Sequence, residues 1–199
     1  MKKQEENTAN EALYAIRCAV RELRFGASGS NMFRTSKVIG VKDVAEYFLS
    51  RDEENDGITN MKLQKLVYYA QAFHLAIFDN PLFSEKIEAW IHGPVCPELY
   101  FEYKRYGSMP IESEHNVSLD MFRKNQISLL DEVNEVFGQY SAGKLRNMTH
   151  EDEPWKEMKA ETGIIKKGRM MEFYKNRIDS NNRIILSTPC TQAASQTSL

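Results

Sequence analysis

The chain has 199 residues, enough for one well-buried core with a small appendage, and 42% of them are hydrophobic against 27% charged. A formal net charge of −2 gives no basic footprint of the kind that broad nucleic-acid binding needs. Cys18, Cys96 and Cys190 are odd in number and far apart, with no C-x-x-C, which argues against a disulfide framework or thiolate zinc and suits a reducing cytoplasm.

The first residues, MKKQEENTAN, lack the apolar segment of a signal peptide, and no apolar run reaches membrane-spanning length. Thr8 and Glu11 have the spacing of a capping box. Behind them Leu13, Ile16, Val20 and Leu23 form one helical stripe, and residues 26–31, GASGSN, are a turn-rich break. Residues 1–30 therefore read as a helix and linker outside the main body. Their stripe is a candidate partner-binding element, or else a face that docks on the body.

A short helix is predicted over Val41 to Ser50, with Val44 and Phe48 on its apolar side. The longest predicted helix runs from Thr59 or Asn60 to Phe78. Its buried face holds Leu63, Leu66, Val67, Ala70, Phe73, Ala76 and Ile77, and Lys62, Gln64 and Lys65 are assigned to the exposed side. Asp79, Asn80 and Pro81 close it. KIEAWIH alternates as a short strand that Gly93 and Pro94 stop, so a small β ribbon is expected near residues 86–95. Pro97 suits the first turn of a following helix, on which Leu99, Tyr100, Tyr103 and Tyr106 form an aromatic face.

Beyond a polar loop, a helix is expected from Leu119 to Gly138 and a short one from Ala142 to Met148. Pro154 opens another through Lys159, and a last helix spans Gly168 to Ile178. The tail, residues 187–199, is small, polar and expected to be disordered. The fold class is mainly α: a compact helical bundle with at most the one small ribbon.

No residues form a convincing catalytic or metal-binding set. His74 reads as a helix-edge residue, His92 as a strand-end side chain, His115 as a loop residue and His150 as a helix-end structural residue. None has a second ligand at zinc spacing. Cys96 beside Pro97 could sit at a helix N-terminus, where a thiolate is favoured, but no base is identifiable. No phosphate-binding glycine loop is present. The expectation is a non-enzyme without cofactor or metal. Trp90, Gly93, Pro94 and Trp155 are read as structural, with Pro97, His150 and Pro154 beside them. Lys62, Lys65, Tyr100 and Tyr103 are the candidates for a partner surface on the body.

Four segments in order carry a family resemblance: KLQKLVYYAQ at 62–71, PLF at 81–83, EAWIHGPVCPELY at 88–100 and MTHEDEPW at 148–155. Over residues 41–178 the chain resembles the Panacea, or SocA-like, domain, with Met148 where a leucine is usual. The resemblance implies an antitoxin of a bacterial or phage toxin–antitoxin pair. Such a protein neutralises a cognate protein toxin by direct binding, in the cytoplasm, with no catalytic residue or cofactor. It also implies an alternative, a proteolytic adaptor that delivers its toxin to a AAA+ protease such as ClpXP, or a phage-associated regulator.

Overall fold

The structure is a computed structural model that describes residues 39–52, 57–112 and 117–185, with side chains to residue 178. The stripe of Leu13, Ile16, Val20 and Leu23 and the tail at 187–199 lie outside the described residues. Among the described residues seven α-helices and two short strands follow in the order α1 (Val41–Leu49), α2 (Asn60–Phe78), β1 (Glu88–Trp90), β2 (Gly93–Val95), α3 (Pro97–Tyr103), α4 (Lys124–Gly138), α5 (Ala142–His150), α6 (Glu153–Met158) and α7 (Lys167–Ile185). The fold is mainly α, as the hydrophobic periodicity predicts.

Helix α2 is the axis of the fold. Thr59 starts it, its Oγ1 accepting from the Lys62 N–H, and Asp79 ends it in the left-handed conformation at φ 56°. Helices α1, α3, α4, α5 and α7 and the strand β2 all pack on it. Only Met61, Lys62 and Phe78 escape full burial, so the helix is covered on all sides rather than along one stripe. Large aromatic side chains bind the layers together. Tyr69 stacks on Phe137 of α4 with ring centroids 4.0 Å apart, and Phe73 meets Tyr174 of α7 edge-on at 5.1 Å.

A two-stranded ribbon lies where the sequence places one, near residues 86–95, although Gly93 and Pro94 are expected to stop its strand. Instead those two residues begin β2, and Glu88, Ala89 and Trp90 pair antiparallel with Val95, Pro94 and Gly93. Proline is tolerated because at this register its missing N–H points away from β1. The N–H of Ala89 turns the other way, to the Gly163 carbonyl at 2.9 Å, and Ile165 N–H donates to Ile87 at 2.8 Å. Residues 163–165 thus close the outer edge of β1. The largest differences from the expected helix bounds are at two ends. The segment before α4 is a 3-10 turn, Leu119–Met121, and α7 runs on to Ile185.

The turns between α2 and β1 have little backbone pairing of their own, and Gln71 supplies it from the buried interior of α2. Its Nε2 donates to Phe83 O at 2.8 Å, and its Oε1 accepts from Leu82 N–H at 2.7 Å. Gln71→Leu keeps the volume but strands both backbone groups, and should cost about 2–4 kcal/mol in urea unfolding. A cost under ~0.5 kcal/mol would mean that these turns hold their shape without it.

Candidate functional site at the hairpin corner

The corner formed by the hairpin and α3 is fastened to α2 by polar side chains. Gln64 accepts from the Cys96 N–H at 2.8 Å and donates to Asn60 at 3.1 Å, while Asn60 Nδ2 donates to the Tyr100 carbonyl at 3.1 Å. Lys65 Nζ donates to the Pro94 carbonyl at 2.8 Å. Lys65 and Gln64 are only 1% and 3% exposed, which corrects their assignment to the exposed side of the helix. The reason is local: the hairpin presents free backbone groups toward α2, and only polar side chains can meet them. Of that trio Lys62 alone stays partly at the surface.

Gly93 sits at φ +101°, a conformation that favours glycine. A Cβ there would come within 2.8 Å of Lys65 Nζ and 2.9 Å of Thr149 Oγ1, so hairpin, α2 and α5 touch through the missing side chain. Behind them Trp155, 5% exposed, donates from Nε1 to the Trp90 carbonyl at 2.9 Å. His150 stacks on its ring at 3.9 Å, and Lys159 Nζ lies 5.2 Å from the ring centroid. Pro97 and Pro154 each stand in the first turn of a helix, α3 and α6.

The outer side of the corner is apolar. Trp90 is half-buried, its Nε1 held by Glu88 at 2.8 Å, and its ring lies 4.9 Å from Tyr100. Phe101 completes an aromatic group at 5.5 Å from Tyr100 and is 56% exposed, while Ile91 at the hairpin turn is 79% exposed. Tyr103, expected beside Tyr100 on one face, instead turns inward. It is 8% exposed, its hydroxyl donates to Glu46 at 2.6 Å, and burial raises its pKa. Sequence reading missed Phe101 and Ile91. Phe101 is legible once Leu99 and Tyr103 are taken as the inward face of α3; Ile91 is legible only once residues 91 and 92 are known to be the turn.

The remaining candidates do not converge. His74 is buried with Nδ1 2.7 Å from the Asn80 carbonyl, and desolvation lowers its pKa. His92 is exposed beside Ile91, and His115 lies outside the described residues. Cys96 occupies the N-cap of α3, but burial pushes its thiol up to about 11, the opposite of an activated thiolate. Among the described residues no three His, Cys, Asp or Glu side chains group as metal ligands, and no helix is long and apolar enough to cross a membrane.

Residues 63–156 match the family model described as antitoxin SocA-like, Panacea domain. The match covers just under half of the chain, from the first turns of α2 into α6, and includes the whole corner. No curated protein and no solved structure matches the chain.

Burial, with Arg146 nearby, lowers the Lys65 amine from 10.5 to about 7. Between these values the unfolded chain binds the extra proton, so stability rises with pH. The slope should be at most about 1.4 kcal/mol per pH unit. Guanidinium unfolding of the native chain from pH 7.0 to 8.5 should show this rise, and Lys65→Met should flatten it. This window lies below the ordinary Cys96 titration near 9.0, above which the raised thiol acts in the opposite sense.

Proposed function

We propose that this chain, which carries an antitoxin SocA-like Panacea domain, neutralises a cognate protein toxin by direct binding, without catalysis. The observation that supports this reading is the apolar surface of the corner. Ile91 and Phe101 stand in solvent, backed by half-buried Trp90 and Tyr100, within the matched region. Exposed aromatic and aliphatic side chains on a rigid base are natural anchors of a protein interface. Leaving them in water forfeits roughly 1.5–3 kcal/mol for each large side chain that a partner could bury.

In this reading the toxin covers the Ile91–Phe101 surface, Lys62 and Tyr100 lie at its margin, and Lys65 and Tyr103, being buried, do not touch it. The N-terminal stripe of Leu13, Ile16, Val20 and Leu23 is then dispensable. Neutralisation by sequestration leaves the toxin present and inactive, whereas delivery to a protease such as ClpXP removes it.

Ile91→Glu with Phe101→Glu changes exposed positions and should shift stability by no more than ~0.5 kcal/mol each. Where a toxic reading frame adjoins its gene, the double variant co-expressed with that toxin should fail to rescue growth. A chain lacking residues 1–30 should still rescue, with toxin protein at an undiminished level on immunoblots. Rescue by the folded double variant would remove the corner from the interface. A fall in toxin level that depends on the protease would replace sequestration with delivery.

A further inference from the structure

Beneath the hairpin, three basic side chains of α2 and α5 feel one another's charge, with no acidic partner among the described residues. Lys65 of α2 is 1% exposed, and its ammonium has one acceptor, the Pro94 carbonyl, for three N–H groups. Arg146 and His150 are four residues apart on α5 and so share a helical face. Among the described residues, the Nε of Arg146 and the Nε2 of His150 are both buried with no hydrogen-bond partner, and the guanidinium has a single side-chain contact, at 3.4 Å to Asn147. Thr149, between them, and the Lys65 amine both border the spot where a Gly93 side chain would stand, and the Thr149 hydroxyl donates to the Arg146 carbonyl at 2.9 Å.

Among the described residues none of the three basic groups forms an ion pair, although seven ion pairs occur elsewhere. His92 and Lys159 add further positive charge around His150. A buried cation with no counter-charge is costly, and buried donors are nearly always paired. Three groups left open together, from two helices and under one strand, indicate a missing acceptor rather than three separate defects.

We propose that Lys65, Arg146 and His150 hold a small oxyanion, of carboxylate or phosphate size, behind the β1–β2 hairpin. The anion accepts from the Lys65 ammonium, from Arg146 Nε–H and from the Nε2–H tautomer of His150, filling the valences that the protein leaves open. Its charge also favours the protonated amine, so binding takes up a proton at pH 7–8 and weakens as the pH rises. This inference is independent of the toxin-binding reading, because the isolated chain carries the whole site.

The test is thermal unfolding of the full chain at pH 7.0 in sodium phosphate, in sodium acetate and in sodium chloride at matched ionic strength. Phosphate or acetate should raise the melting temperature by several degrees over chloride, and whichever anion does so identifies the preferred oxyanion. Phosphate also stabilises folded proteins generally by exclusion from their surface, so the variants carry the decision. Arg146→Gln and Lys65→Met should each abolish the excess rise, and Lys175→Gln, at a distant surface ion pair, should keep it. Phosphorus NMR line broadening by the native chain, lost in Arg146→Gln, gives the same answer without melting the protein. No rise over chloride with either anion, or an equal rise in the native chain and both site variants, overturns the site.

Discussion

The structure depends on a helix that is buried on all sides and still carries polar side chains. Helix α2 sends Gln64, Lys65, Gln71 and His74 into the stretch from Asn80 to Cys96, where each meets a backbone group. That stretch holds two proline positions, tight turns and three-residue strands, so it cannot satisfy its own carbonyls and amides. Buried without partners, each would cost about 1–3 kcal/mol. The helix therefore does what a longer sheet would do elsewhere, and the corner keeps its shape because α2 is fixed.

Helix α2 is fixed in turn by aromatic packing against α4 and α7. Tyr68, Tyr69, Phe73, Phe137 and Tyr174 form a continuous ring cluster. Asp152 anchors the same region, accepting from Tyr174 Oη at 2.6 Å and from Arg177 at 3.3 Å. Burial raises its carboxyl to about 6, although Tyr174 and Arg177 pull the other way. Its unfolded value is 3.8, so the stability that its protonated form contributes is complete below that pH and is lost as the pH rises through about 6. Lys65 is perturbed in the opposite direction, toward loss of its charge. Asp152 is thus paired with Arg177, whereas Lys65 has no carboxylate opposite it among the described residues.

Much of this was legible in the chain. The spacing of Leu63, Leu66, Val67, Ala70 and Phe73 requires α2, and Thr59, Asp79 and Pro97 mark helix ends by their capping chemistry. The polar face of α2 was not legible. Lys62, Gln64 and Lys65 look alike in sequence, and what separates them is whether an unpaired carbonyl or amide lies opposite, a fact of tertiary structure. The second strand was hidden for a related reason. Gly93 and Pro94 ordinarily end strands, and here they begin one because Lys65 takes the outward carbonyl and the edge needs no further donor. The pairing with residues 163–165 lies some seventy positions away and leaves no local trace. On the outer side of the corner, Tyr100 stays partly exposed while Tyr103, read on the same face, turns inward, because four tyrosines and phenylalanines within seven residues give no hydrophobic contrast to set the phase.

The same short hairpin exposes Ile91 at its turn and rests on the polar and basic side chains of α2 and α5, and it is held tightly. Its β1 edge is closed by residues 163–165, its β2 edge by Gln64 and Lys65, and Trp155 grips the Trp90 carbonyl at the turn. A loop with free edges loses conformational freedom when a partner orders it, at about 1–2 kcal/mol per residue for the backbone alone. A hairpin already ordered on three sides avoids most of that cost, so apolar area buried over Ile91 and Phe101 converts more fully into affinity. Preorganisation also requires a strictly specified underside. Gly93 admits no side chain between Lys65 and Thr149, and the polar residues beneath it are set by the backbone that they hold. The outward positions, Ile91 and Phe101, project into solvent and meet no such demand.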